Sequence, residues 1–306
     1  MSDASPIEAR GLVKRYGDLV AVDHVDLTVD RGDVFGFLGP NGAGKTTSLR
    51  MLLGLIRPSE GTARLFGRDP LVDGARALDG VAGFVEGPKF YPYLSGRKNL
   101  RLLADLDGGG ARSRIDEVLH VVELADRAKD RVGGYSHGMR QRLGIAASLL
   151  RDPKLLLLDE PTTGLDPAGM RDMRELVKRL ASEGITILLS SHVLAEVEEL
   201  CNRVAIIRKG RIIYEGRLDE LIESAGGGYV LQTSEPERAR ALLLAHGVEA
   251  PLLVDGALRF QVDASAVEAL SIALGHANIG ISALMPRVAT LEELFLDMTE
   301  HEEAVA

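Results

Sequence analysis

Gly39-Pro40-Asn41-Gly42-Ala43-Gly44-Lys45-Thr46-Thr47 is the stretch on which the fold turns. It fits the spacing G-x-x-x-x-G-K-[ST]. Phosphate oxygens must come close to backbone N–H groups, and glycines remove the side chains that would block them. The loop from Gly39 through Asn41, Gly42, Ala43 and Gly44 to Thr47 offers those amides, and the N-terminus of the following helix adds partial positive charge. Lys45 brings a full charge on a long stem, and the Thr46 hydroxyl is placed to ligate Mg²⁺. The flanks agree. Residues 34–38 are a short apolar run that predicts a buried strand, and Leu49, Leu52, Leu53 and Ile56 follow with helical spacing. Strand, loop and helix together predict a site for ATP with Mg²⁺.

Upstream, alternation over residues 7–29 predicts antiparallel strands with a turn at Gly17-Asp18. Downstream, residues 87–150 are mostly helical in pattern, with helices expected over 99–106, 115–124 and 139–150. Apolar strands return at 155–158, 185–189 and 204–207, and a Lys209-Gly210 turn leads into 212–214. Strands interleaved with helices predict a parallel α/β core, and the helical block reads as an insertion into it. Gly226-Gly227-Gly228 reads as a joint. The expected domains are therefore 1–225 and a small α+β domain over 226–306. In the latter, the order strand, helix, hairpin at Asp255-Gly256, helix, strand is the split βαβ pattern of ferredoxin-like domains. A last amphipathic segment runs over 291–298.

Composition sets limits. The chain has 306 residues, ordinary hydrophobic content and a formal net charge of −9. That balance disfavours non-specific nucleic-acid binding, and no nucleic-acid partner is expected. The single cysteine, Cys201, excludes an intrachain disulfide. The first residues lack the basic flank and apolar run of a signal peptide. No stretch approaches the roughly 20 apolar residues of a membrane helix, so work at a membrane is expected to need another chain for the spanning.

Leu155-Leu156-Leu157-Leu158-Asp159-Glu160-Pro161 is the second chemical landmark. Four leucines suit a strand buried on both faces. Two carboxylates at its end are costly unless they pair or work. Asp159 is expected to complete the Mg²⁺ shell, and Glu160 to polarise the attacking water as general base.

A third segment narrows the choice. Tyr135-Ser136-His137-Gly138-Met139-Arg140-Gln141-Arg142 resembles the signature of ATP-binding cassette (ABC) ATPases, usually Leu-Ser-Gly-Gly-Gln. The order of motifs fits, and the likeness covers roughly residues 7–220. Gly164-Leu165-Asp166 resembles the family's D-loop, Ser190-Ser191-His192 its switch histidine, and Tyr16 the aromatic it sets against adenine. The resemblance implies an α/β P-loop ABC ATPase core, a mixed sheet with an antiparallel β subdomain and a helical insertion, in a head-to-tail dimer in which Ser136 and Gly138 of one subunit complete the ATP site of the other. His192 would contact the γ-phosphate, and Asp166 would lie at the shared site. The resemblance further implies separate membrane permease chains, a cytoplasmic place on the inner face of the membrane, and export of drugs, peptide antibiotics or lipid-like compounds. The C-terminal residues Leu291-Glu292-Glu293-Leu294-Phe295 are similar to a piece of the tail found on drug-export ATPases.

The match to the pattern is not complete. Glu86, in Phe84-Val85-Glu86-Gly87-Pro88, replaces the usual glutamine, as in ATPases of bacitracin- and lantibiotic-type systems; it is a candidate to sense Mg²⁺ or the attacking water. His137 replaces the first signature glycine and Met139 the glutamine, while the serine and second glycine remain. Two rival readings are a soluble ABC ATPase of DNA repair or translation and a P-loop metabolic kinase. The first usually carries two cassettes or long coiled coils; the second needs no dimeric signature.

Overall fold

The computed structural model describes residues 4–224, 228–250, 256–287 and 290–300. The chain divides into two compact units, Met1–Arg217 and Leu218–Ala306. The division comes eight residues before the end of the expected first domain at 225.

The first unit opens with a hairpin. β1 (Ile7–Tyr16) and β2 (Leu19–Val29) pair antiparallel, with Tyr16 opposite Leu19, so Gly17-Asp18 is the two-residue turn. β3 (Val34–Leu38) leads into the phosphate loop and α1 (Lys45–Leu52). β4 (Glu60–Leu65) then pairs with β1, giving a three-stranded sheet ordered β2-β1-β4.

β5 (Val81–Phe84) precedes a helical block made of α2 (Gly96–Leu106), α3 (Ile115–Val121) and α4 (His137–Leu149). The chain then alternates: β6 (Leu155–Asp159), α5 (Pro167–Ser182), β7 (Thr186–Ser191), α6 (Leu194–Leu200), β8 (Arg203–Arg208) and β9 (Arg211–Arg217). The large sheet is ordered β5-β6-β7-β3-β8-β9. All its neighbours are parallel except β8 and β9. That last pair turns at Lys209-Gly210, both with positive φ, the conformation a tight two-residue hairpin requires.

One apolar core joins the two sheets through α1. It includes Leu12, Leu27, Phe35, Phe37, Leu49, Leu155, Leu157 and Ile207. All four leucines of β6 are fully buried, each worth about 1.5–3 kcal/mol as an upper bound. This burial fixes the strand, and so fixes where Asp159 and Glu160 emerge. Cys201 is buried beneath the same sheet: a Cβ on Gly36 would stand 3.1 Å from its Sγ.

Local signals set the helix starts. Ser95 caps α2 by accepting the Lys98 N–H at 3.3 Å. Asp166 caps α5 by accepting the Gly169 N–H at 2.9 Å, with Pro167 in the first helical position. The structure extends the expected helix at 99–106 back to Gly96 and shortens that at 115–124 to Val121.

The second unit holds α7 (Leu218–Ser224), β10 (Gly228–Thr233), α8 (Pro236–Ala245), β11 (Leu258–Phe260), α9 (Ala264–His276), β12 (Ile281–Arg287) and α10 (Leu291–Glu300). Its sheet is antiparallel and ordered β11-β10-β12. Tyr229, Leu231, Leu258, Phe260 and Leu284 share the face that packs with Leu243, Leu270 and Leu274. The first arm of the expected hairpin and its Asp255 lie outside the described residues, so the four-stranded ferredoxin-like plan stays an expectation.

Candidate functional site

The carboxyl ends of β3, β6 and β7 lie side by side in the large sheet. Crevices outside such strand ends are where open α/β sheets bind ligands. β3 delivers the phosphate loop. Gly42 has φ +81° and Gly44 φ +110°. A Cβ on Gly39 would meet the Ile207 carbonyl oxygen at 2.3 Å, and one on Gly44 the Ala21 carbonyl oxygen at 2.6 Å. Only glycine fits at either position, and the loop keeps its bare backbone. Lys45 is 5% exposed. Its Nζ donates to the Gly39 carbonyl at 2.7 Å and stands 3.4 Å from Glu160.

β6 delivers Asp159 against the loop. The Thr46 hydroxyl donates to Asp159 at 3.1 Å, the Ser190 hydroxyl donates at 2.6 Å, and the Glu86 N–H donates at 3.2 Å. Among the described residues no three His, Cys, Asp or Glu side chains group closely enough to hold a metal. The available set is one hydroxyl and one carboxylate. That suits Mg²⁺, which takes hard oxygens, keeps waters and shares substrate phosphates rather than filling a protein cage. The residues present therefore fit ATP with Mg²⁺.

Glu160 follows with φ +48°, a conformation that non-glycine residues adopt at a cost of order 1–3 kcal/mol. Its N–H is held by the Ser190 hydroxyl at 3.0 Å. Its carboxylate accepts from the Thr163 hydroxyl at 2.9 Å and lies 3.2 Å from His192 Nδ1. Partial burial raises the carboxyl pKa, but the Thr163 hydroxyl, His192 and Lys45 outweigh it and hold the group below its ordinary value. Glu160 is thus an anion at neutral pH, ready to accept a proton.

Glu86 also has positive φ, +63°. Its carboxylate pairs with Arg50 of α1, while its backbone reaches Asp159. The structure therefore brings the peptide of Glu86 to the site and holds the side chain on Arg50. Tyr16 closes β1 with its ring half exposed and Lys14 Nζ 5.1 Å from the centroid. The other expected residues stand apart. The Ser136 hydroxyl caps α4 by accepting the Met139 N–H at 3.2 Å, and Asp166 caps α5. Among the described residues, Ser136, Gly138 and Asp166 make no hydrogen bond to the phosphate loop of their own chain. Three further residues matter that spacing alone did not single out: Ser190, Thr163 and Arg50. Their partners are set by strand register and helix placement, which no local pattern encodes.

Comparison with known proteins identifies the family. Residues 22–163 match the family described as ABC transporter. The bacitracin transport ATP-binding protein BcrA of Bacillus licheniformis is 44% identical over 241 residues, covering 78% of this chain and 79% of that protein. The daunorubicin resistance ATP-binding protein DrrA3 of Streptomyces coeruleorubidus is 39% identical over 317 residues, covering 100% of this chain and 99% of that protein. A solved structure of the ATP-binding subunit of an ABC transporter is 30% identical with a TM-score of 0.64, covering 72% of this chain and 93% of that one. The chain belongs to the ABC transporter family as one of its ATP-binding proteins, an ATPase.

Proposed function

We propose that this chain is the ATP-hydrolysing subunit of an exporter, and that it drives a separately encoded membrane permease. The observation that carries the reading is the Glu160 carboxylate, ionised at a strand end and held by Thr163, His192 and Lys45 beside the phosphate loop. In this reading the loop amides and Lys45 bind the β- and γ-phosphates, and the exposed Tyr16 ring stacks on adenine. Thr46 and Asp159 hold Mg²⁺, which when bound neutralises charge on the phosphates. Glu160 accepts a proton from water as its oxygen attacks the γ-phosphorus and the bond to ADP breaks. His192 orients that water. Glu86, released from Arg50, supplies a further carboxylate at the Mg²⁺ and water.

Two chains pair head to tail, so that Ser136 and Gly138 of each face the ATP of the other and Asp166 lies at the junction. Among the described residues no helix is long and apolar enough to cross a membrane, which leaves the spanning to permease chains. A cleft of about 430 Å³ beside Glu86, lined by Phe84, Pro88, Phe90, Leu103, Leu106 and Leu150, is suited to a permease helix on the cytoplasmic side. The bacitracin transport and daunorubicin resistance relatives support a drug or peptide antibiotic as cargo, and a lipid-like compound belongs to the same reading.

Glu160→Gln tests the core of this reading. Removing the general base is expected to slow hydrolysis at least ~10²-fold while ATP binding persists. The variant should then dimerise when ATP is added, as followed by light scattering. Near-normal turnover, or no ATP-dependent dimer, contradicts the proposal. Recovery of a polytopic membrane protein in stoichiometric amount from gently solubilised membranes tests the permease.

A further inference from the structure

His137 occupies a position where a glycine would carry no side chain, and its imidazole is committed. Nε2 lies 3.0 Å from the Thr163 carbonyl oxygen and 3.5 Å from Gln141 Nε2. A Cβ on Gly164 would stand 3.5 Å from the ring, and one on Gly138 would stand 3.5 Å from Leu165. Residues 137 and 138 therefore both rest on the loop 163–165. A carbonyl only accepts, so Nε2 carries the proton here, and the bond forms with neutral or protonated imidazole alike. Thr163 continues the chain: its hydroxyl donates to Glu160 Oε2 at 2.9 Å. A continuous path thus runs from the first turn of α4 through His137 and Thr163 to the Glu160 carboxylate of the same subunit.

We propose that His137 is a positioning residue that ties each subunit's signature helix to that subunit's own general base. The inference rests on the head-to-tail reading above. In such a dimer the signature helix serves the partner's ATP, whereas Glu160 serves its own. The His137–Thr163 link then joins the two ATP sites through one chain, so that closure of one site sets the carboxylate of the other.

One hydrogen bond of this kind is worth roughly 3- to 10-fold in rate. On the full-length protein, His137→Leu and Thr163→Val should each lower kcat by about that factor, with the KM for ATP changed less than about 2-fold. The double variant should be no slower than the slower single variant, because both interrupt one path. His137→Gln keeps an N–H near the Nε2 position and should restore kcat. Thr163→Ser keeps the hydroxyl and should stay near wild type, which covers the case in which Thr163→Val folds poorly.

Mixed dimers with different tags separate this role from a local effect on the signature. When Glu160→Gln silences one subunit, His137→Leu should slow the remaining live site only if it lies on the subunit that carries the intact Glu160. Slowing only when His137→Leu lies on the silenced subunit, whose signature faces the live ATP, overturns the inference. So do wild-type kcat for His137→Leu, multiplicative losses in the double variant, and absence of rescue by glutamine. If Glu160→Gln fails to dimerise with ATP, the head-to-tail reading falls, and this inference with it. A normal dimer with unaltered His137→Leu kinetics removes the inference alone.

Discussion

At the scale of single residues, the candidate site is held by side chains outside the phosphate loop. Ser190 is fully buried; its hydroxyl donates to Asp159 and accepts from the Glu160 N–H. From the neighbouring strand, where Asp159 and Ser190 are paired in register, it orients the Asp159 carboxylate and anchors the Glu160 backbone. Outer-shell partners of metal ligands commonly contribute 10- to 100-fold. Ser190→Ala is therefore expected to raise the Mg²⁺ concentration for half-maximal ATPase by about 10-fold, measured by titrating Mg²⁺ at saturating ATP. Arg50 sets a second test. If Glu86 acts at the water only when it leaves Arg50, Arg50→Ala should alter the Mg²⁺ dependence while Glu86→Ala abolishes that response. Unchanged kinetics in both variants make the pair a surface ornament. Glu160 carries a pH consequence. Its pKa is lower in the folded chain than the ordinary 4.5. Its contribution to stability is thus complete above the unfolded value and is lost as pH falls through the folded one. Glu160→Gln should therefore lower thermal stability in the neutral region and flatten the acid limb below about pH 4.5, converging on the wild type at low pH.

At the scale of elements, buried polar side chains decide where loops sit. Asn99 on α2 is 2% exposed. Its amide accepts from the Tyr91 N–H and donates to the carbonyls of Tyr91 and Ser95. It thereby pins the aromatic turn 91–93 beside the cleft proposed for the permease. Asn99→Ala takes the partner from the Tyr91 N–H, at about 1–3 kcal/mol, while the carbonyls of Tyr91 and Ser95 still accept from the N–H groups of residues 94 and 99. The expected result is a fall in Tm of several degrees and weaker recovery of the permease, with ATP affinity retained. Calorimetry and nucleotide titration on the same sample check both halves. Legibility also differs by element. The phosphate loop and β6 are written locally, in glycine spacing and in a leucine run. β4 is not, because Glu60–Leu65 turns only Ala63 and Leu65 inward and becomes a strand by pairing with β1. The His137, Thr163 and Glu160 contacts are likewise invisible in sequence, since they need α4 and the loop after β6 to meet.

At the scale of the whole molecule, the sequence placed the first domain's end at a glycine triplet, whereas the compact units part at Arg217–Leu218. Glycine marks a joint by backbone freedom. The unit boundary is set instead by which residues pack together, and β9 ends there as the antiparallel edge of the large sheet. The expected functional unit is larger than one chain. Ser136, Gly138 and Asp166 have no hydrogen bond to their own phosphate loop among the described residues, so in the head-to-tail reading a monomer lacks the contacts these residues would make. ATPase activity per chain should therefore rise with protein concentration until the dimer saturates. A rate per chain independent of concentration across the monomer–dimer range argues that one chain suffices.

The packing of Cys201 has a practical consequence. It is the chain's single cysteine, it is buried, and that burial pushes its thiol pKa well up. A thiol so placed is a poor nucleophile. The natural protein should accept one spin label or fluorophore at any cysteine introduced on its surface without first losing the native one. Distances between two such labels across the paired chains could then be followed through an ATP cycle in an otherwise unaltered molecule.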